Sequence, residues 1–307
     1  MSGSSRGWYR ASRSDGAVES TAGRAADAAE FDAAANAALQ DTLSAYNDRD
    51  VAGTQRHIDT LQQAIESDID GEVTMLFGGS VRKHTFVDGL SDVDLLAVLN
   101  DSSLADSSPA EVLKYFHDRI SKRLPNATVT KGDLAITIRY PDGAEIQILP
   151  ALRTATGLRI SAQDGGSWSS VVRPQEFAKK LTQVNQSCGS KVVPVIKLFK
   201  GMQADLPETN QLRGYHVESI AIEAFKSYTG RQTYKDMLQH FLAAATDRVR
   251  APINDSTGQS LHVDDYLGHS GSDDRLRVSN AIARLASGLR AAESRGSVDA
   301  LRDLFPE

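Results

Sequence analysis

The sequence predicts an α/β protein: a twisted mixed sheet with flanking helices that gives way to an all-helical half. Three observations predict it. Short apolar or alternating runs recur between residues 72 and 149, each bounded by turn residues. A helical pattern with its own start signal interrupts them once. From Pro174 onward the apolar spacing is helical throughout.

Residues 1–30 open with "MSGSSRGWYRASRSDGAVESTAGRA", rich in Ser, Gly, Ala and Arg with little apolar periodicity. A disordered arm is expected there. Phe31, Ala35, Leu39, Leu43 and Tyr46, then Ile58, Leu61 and Ile65, recur at helical intervals and describe two helices or one long broken one. Strand patterns follow at Glu72–Phe77, Asp92–Leu99, Ala127–Thr130, Leu134–Tyr140 and Glu145–Leu149. Between the second and third, Ser108 and Pro109 start a helix as cap and first turn. Pro141-Asp142-Gly143 reads as a hairpin turn. The stretch "TATGLRISAQDGGSWSSVVRP" reads as irregular, and helices fill the rest. The expected division is an arm at 1–30, an α/β core with its N-terminal helices at 31–173, and a helical lobe at 174–307.

A chain of 307 residues suffices for one large domain or two modest ones. A formal net charge of -6 argues against bulk nucleic-acid binding, which needs a basic surface, while leaving room for a local basic pocket. Cys188 is the single cysteine, so no intrachain disulfide forms and any metal site must use oxygen or histidine ligands. No apolar run approaches a transmembrane span and no leader pattern opens the chain, so a cytoplasmic enzyme or signalling protein is expected.

Asp92 and Asp94 stand two apart in a strand pattern, hence on one strand face. Such a pair also suits a solvent-facing edge strand. If buried together the carboxylates repel and need a compensating cation. Mg²⁺ suits them, because it takes oxygen ligands from one or two carboxylates plus substrate phosphates. Upstream, Gly78-Gly79-Ser80 ends the preceding strand pattern. Glycines let backbone approach a polyphosphate, and a serine hydroxyl with backbone N–H groups cradles its oxygens. Alone this tripeptide is weak evidence. Followed by a loop and then Asp-x-Asp on the next strand, it is far more specific.

The run "GGSVRKHTFVDGLSDVDLLAVL" resembles the polymerase β-type nucleotidyltransferase superfamily. It is most similar to the branch containing bacterial cyclic-oligonucleotide synthases (CD-NTases), cyclic GMP-AMP synthase and oligoadenylate synthase. The resemblance extends from about Phe31 to Leu304. "EIQILPAL" stands where the family has its third carboxylate, "KVVPVIKLFKGM" looks like the helix whose lysine reaches the donor triphosphate, "GYHVESIAIEAF" resembles the next helix, and "VDDYLG" before an Arg-rich helix is similar to the C-terminal close. One departure matters. Where many relatives carry an Asp three residues before the Pro, this chain has Gln147, a poor metal ligand; Glu145, two residues earlier on the same face, is favoured as third ligand.

The resemblance implies a nucleotidyltransferase core with a helical lobe. It implies two Mg²⁺ ions, replaceable by Mn²⁺, on Asp92, Asp94 and Glu145, with the triphosphate gripped by Gly79, Ser80, Lys200 and Lys197. Nucleoside triphosphates, ATP among them, are the implied substrates and a cyclic di- or trinucleotide the product. A role in bacterial anti-phage signalling follows, with a downstream effector and a possible regulatory partner protein. Two alternatives stay open: transfer of a nucleotide to another acceptor, and a degenerate nucleotide sensor, which Gln147 favours. Arg82 and Lys83 either touch phosphate or are simply exposed. His216 and Glu218, Asp264 and Asp265, and Tyr215 and Trp168 are read first as caps, ion pairs and packing.

Overall fold

A computed structural model of the chain describes residues 15–47, 51–66, 72–77, 93–100, 103–162, 166–169, 171, 174–254 and 263–305. Two helices come first, α1 (Asp15–Ala45) and α2 (Val51–Glu66). The sheet region holds β1 (Glu72–Phe77), β2 (Val93–Asn100), α3 (Pro109–Arg123), β3 (Thr128–Lys131), β4 (Ile136–Arg139), β5 (Glu145–Thr154) and β6 (Gly157–Ile160). The C-terminal helices are α4 (Pro174–Ser187), α5 (Val192–Ala204), α6 (Gly214–Phe225), α7 (Tyr234–Arg248), α8 (Asp273–Arg295) and α9 (Val298–Arg302).

The sheet runs β1-β2-β5-β4-β3, with β2 and β5 parallel and the other pairs antiparallel. The predicted hairpin joins β4 to β5. Gly143 takes φ +89°, open to glycine at no steric cost, and the Tyr140 N–H donates to the Ala144 carbonyl at 2.8 Å. His57 of α2 reaches the same turn, bonding Asp142 at 2.8 Å and stacking on Tyr140. β5 is longer than its sequence pattern indicated, and β6 lies in the stretch expected to be irregular. Residues 145–148 of β5 pair with β4 and residues 151–154 pair with β6, on the same edge. Leu149 and Pro150 fall in the gap between these partners, where a proline is tolerated. The α3 start is a full capping box: Ser108 Oγ accepts from the Glu111 N–H, and Glu111 accepts from the Ser108 N–H at 2.8 Å.

Two large apolar cores divide the molecule along lines other than the expected ones. Ile58, Leu61 and Ile65 of α2 and Val112, Leu113, Phe116 and Ile120 of α3 pack on one sheet face. Phe31, Ala35, Leu39 and Leu43 of α1 instead join the core of α4–α9. From α1 in the helical lobe the chain crosses to the sheet at α2 and returns at α4. Of the two N-terminal helices grouped with the sheet, α2 packs on it and α1 packs in the lobe. Lys235 of α7, 3% exposed, clamps α1 by reaching Asp32 at 2.6 Å, and its ammonium also bonds Glu293 of α8 at 2.5 Å. Both carboxyls are held below their usual range by the Lys235 hydrogen bond. Tyr46 packs on Gly201 of α5, where an added Cβ would lie 2.0 Å from the phenol oxygen.

Helix α1 also takes in the second half of the expected arm. Residues 15–30 belong to α1, since a stretch rich in alanine has high helix propensity even without an apolar stripe; residues 1–14 lie outside the described residues. Among the described residues no helix is long and apolar enough to cross a membrane.

Candidate active site

Strand alternation sorts the sheet into two faces. Leu95, Ala97 and Leu99 of β2, with Ile146 and Ile148 of β5, are buried against α2 and α3. The other parity carries Leu96, Val98, Leu149 and Ala151, which form a small apolar cluster with Leu158 of β6. Toward the N-terminal end of β5 this second face turns polar. Glu145 and Gln147 stand there on β5, opposite Arg139 and Thr137 of β4. In the parallel ladder Asp94 registers with Gln147. The pairing of β2 with β5 thus brings the Asp-x-Asp strand beside the strand of the proposed third acid, across a crossover of more than forty residues.

Asp92, Gly79, Ser80, Arg82 and Lys83 lie outside the described residues, as does the side chain of Asp94. Among the described residues no group of three His, Cys, Asp or Glu side chains forms a metal cluster, a set that leaves out both aspartates. Glu145 is engaged by a cation. Arg139 donates to one carboxylate oxygen through Nε and to the other through Nη2 at 3.3 Å. Glu145 is 23% exposed and Arg139 60% exposed. Arg139 escaped the sequence reading, yet the hairpin already contained it. Counting outward from the Tyr140–Ala144 closure sets residues 139 and 145 opposite one another.

The two candidate lysines are engaged within the helical lobe. Lys200, 9% exposed, lies 3.7 Å from the carboxylate of Glu218, itself 1% exposed. That spacing makes the two an ion pair buried in the helical lobe. Lys197 bonds Asn47, just beyond the end of α1.

His216 belongs to a buried polar cluster. The Tyr266 hydroxyl accepts from the Arg213 N–H at 3.1 Å, so its own proton is free to go to His216 Nδ1 at 3.0 Å. This leaves the imidazole proton on Nε2, 3.5 Å from Asp264. Burial pushes His216 down to about 4; Asp264 pulls the other way but is already paired with Arg275 at 2.6 Å, so burial wins. Asp264 pairs with the C-terminal helix, as expected of it. Tyr215 packs on Phe177 with ring centroids 4.4 Å apart, and Trp168 donates to the Ser107 carbonyl at 2.9 Å.

Residues 37–185 match the family model described as Second Messenger Oligonucleotide or Dinucleotide Synthetase domain. The chain carries a domain of this family. The synthetase domain takes in the end of α1, α2, the whole sheet and most of α4. No curated protein matches the sequence. Among solved structures, the Bradyrhizobium diazoefficiens CD-NTase CdnG in complex with GTP is similar at a TM-score of 0.62 and 16% identity, covering 83% of this chain and 89% of CdnG. E. coli MS115-1 CdnC with ATP gives 0.59 and 18%, covering 81% and 87%. Vibrio cholerae DncV in its apo form gives 0.60 and 12%, covering 91% and 84%. These likenesses establish the nucleotidyltransferase fold of the synthetase domain and extend it through the helical lobe.

Proposed function

We propose that the protein joins nucleoside triphosphates into a cyclic di- or trinucleotide second messenger with release of pyrophosphate. The observation that carries this reading is the parallel pairing of β2 with β5 inside a synthetase domain, with Asp94, Gln147 and Glu145 at neighbouring positions of the face that α2 and α3 leave uncovered. A ribose hydroxyl of one nucleotide attacks the α-phosphate of a bound triphosphate. The bond to pyrophosphate breaks, and the hydroxyl proton passes to a base, assigned to Glu145. A second transfer on the linear product in the same pocket closes the ring.

The donor set is oxygen-only, which fits Mg²⁺ or Mn²⁺. Asp92, Asp94 and Glu145 would hold two such ions, which supply charge neutralisation at the transferring phosphoryl group and a lowered pKa for the attacking hydroxyl. Gly79 and Ser80 cradle the triphosphate through backbone N–H groups and a hydroxyl, while Lys200, joined by Lys197 once released from Asn47, supplies positive charge. GTP and ATP occupy the CdnG and CdnC structures, and supports for a purine substrate here are those neighbours. A second CdnC structure is a complex with HORMA-deltaN, which supports a regulatory partner protein for this chain. A cytoplasmic place in anti-phage signalling, with an effector that binds the product, completes the reading.

The experiment incubates purified protein with labelled triphosphates and Mg²⁺ or Mn²⁺, then adds phosphatase. A resistant small product is expected. Label on an added acceptor would instead indicate transfer. A nucleotide sensor is the second reading, favoured by Gln147 beside Asp94 and by Arg139 on Glu145; no labelled product with any mixture would put it first.

A further inference from the structure

We propose that Arg139 is a built-in counterion: it holds Glu145 in the metal-free protein and must release it before a divalent ion binds. Arg139 thereby sets the metal concentration at which the site assembles. The inference rests on the reading of Glu145 as a metal ligand.

Arg139 donates to both carboxylate oxygens of Glu145, through Nε and through Nη2. This fork takes one of the two lone pairs on each oxygen and draws the carboxylate's charge toward the guanidinium, so a dication that needs the same carboxylate competes with the guanidinium for it. The contact is set by backbone, since Arg139 and Glu145 are register partners across the β4–β5 hairpin. Release is inexpensive: Arg139 is 60% exposed, and an exposed ion pair shifts an equilibrium by about fivefold at most. Glu145, 23% exposed, stays where the strand holds it.

The departure at Gln147 and the presence of Arg139 belong together. An acid at 147 would face Thr137 across the ladder, a residue without charge. At 145 the acid faces Arg139. Moving the third carboxylate by two residues therefore kept its face and gave it a resident cation.

The test measures Mn²⁺ binding to the nucleotide-free full-length protein by the electron paramagnetic resonance signal of free Mn²⁺. Arg139→Gln is expected to tighten binding roughly three- to fivefold, as removal of a weak competing pair requires. Glu145→Gln is expected to weaken it by at least about tenfold. Removing a positive charge also helps a dication from a distance, so the double variant decides. In the Glu145→Gln background, Arg139→Gln should improve binding by less than about twofold if the competition is for Glu145. Unchanged or weaker binding by Arg139→Gln, or an equal gain in both backgrounds, overturns the counterion role while leaving Glu145 a ligand. If Glu145→Gln binds Mn²⁺ as well as the wild type, the ligand assignment itself fails, and the proposal with it. Circular dichroism of each variant checks that the fold is retained.

Discussion

The sheet half and the helical lobe solve the burial of polar groups in opposite ways. Among the described residues every buried polar or charged side chain lies in the lobe, from Lys200 to Ser279; the sheet half has none. The sheet satisfies its backbone through ladders, and alternation sends its polar side chains to one face. The lobe must bury irregular segments between helices, whose carbonyls need donors. Arg275 supplies them. Fully buried, it donates to the carbonyls of Gly268, Val249, Ala251 and Asp264 as well as to the Asp264 carboxylate. Charge is thus structural in one half and available for chemistry in the other. In the lobe a charge holds the fold, whereas on the polar sheet face it can be altered with little effect on stability.

Four measurements probe the contrast between the two halves. The largest effect is expected from Asp92→Asn combined with Asp94→Asn: product formation should fall by at least about three orders of magnitude, on the order of 4 kcal/mol or more in the barrier. Thermal unfolding without metal should be unchanged or slightly later, because the pair repels when no cation is present. Near-wild-type turnover in Mg²⁺ would remove this site from consideration.

Next comes the lobe. Arg275→Met leaves Asp264 Oδ2 and several carbonyls without their donor, and should cost about 3–5 kcal/mol in urea unfolding. Glu145→Gln on the sheet face should cost less than about 1 kcal/mol in the same assay. Equal losses would dissolve the distinction between the two halves.

Within the sheet face, Glu145→Gln should lower turnover roughly ten- to hundredfold while Gln147→Ala has a much smaller effect, since only the first removes an anionic ligand and base. Gln147→Asp should be tolerated. A silent Glu145→Gln in an active wild-type background would move the third ligand elsewhere.

The smallest effect is pH-linked. His216 is neutral in the folded protein with its pKa lowered to about 4, so the unfolded chain takes up a proton first as pH falls. The stability contributed by the neutral imidazole is complete above about pH 6.5 and is lost progressively toward pH 4, reaching a loss of about 2 kcal/mol at pH 5. Urea midpoints at pH 7 and pH 5 check this, and His216→Gln should flatten that part of the profile. An unchanged slope in the variant would assign the acid sensitivity to other groups. Asp32 and Glu293, held low by Lys235, add a loss only at still lower pH, as pH falls through and below the ordinary carboxylate range near 4.

Much of the architecture was legible because it is local. Ser108 with Glu111 caps a helix whatever surrounds it, and Pro141-Asp142-Gly143 closes a hairpin from its own φ preferences. The C-terminal helices followed from their apolar spacing. Strand β6 was missed because Gly157–Ile160 carries only Leu158 and Ile160 as strand formers, and becomes a strand by filling the β5 edge beyond β4. The Arg139–Glu145 contact was implicit in the hairpin register but invisible to a search for acids alone.

Many of the pieces were written in the sequence: the caps and turns that start α3 and close the β4–β5 hairpin, the two-residue spacing of Asp92 and Asp94, and the absence of an acid at Gln147. Those are properties of neighbouring residues, set by dihedral preference and by period. Tertiary structure alone decided which pieces meet. It assigned α1 to the helical lobe through Phe31, Leu39 and the Lys235–Asp32 contact, which joins residues just over two hundred apart in the chain. It paired β2 with β5 and so set Asp94 beside Gln147, and it drew Asp264, Arg275 and His216 into one buried cluster. An amphipathic helix records that it has an apolar face but not which face will cover it. That choice belongs to the whole packed chain, because burial is non-directional and only the fit of all the surfaces together selects the partner.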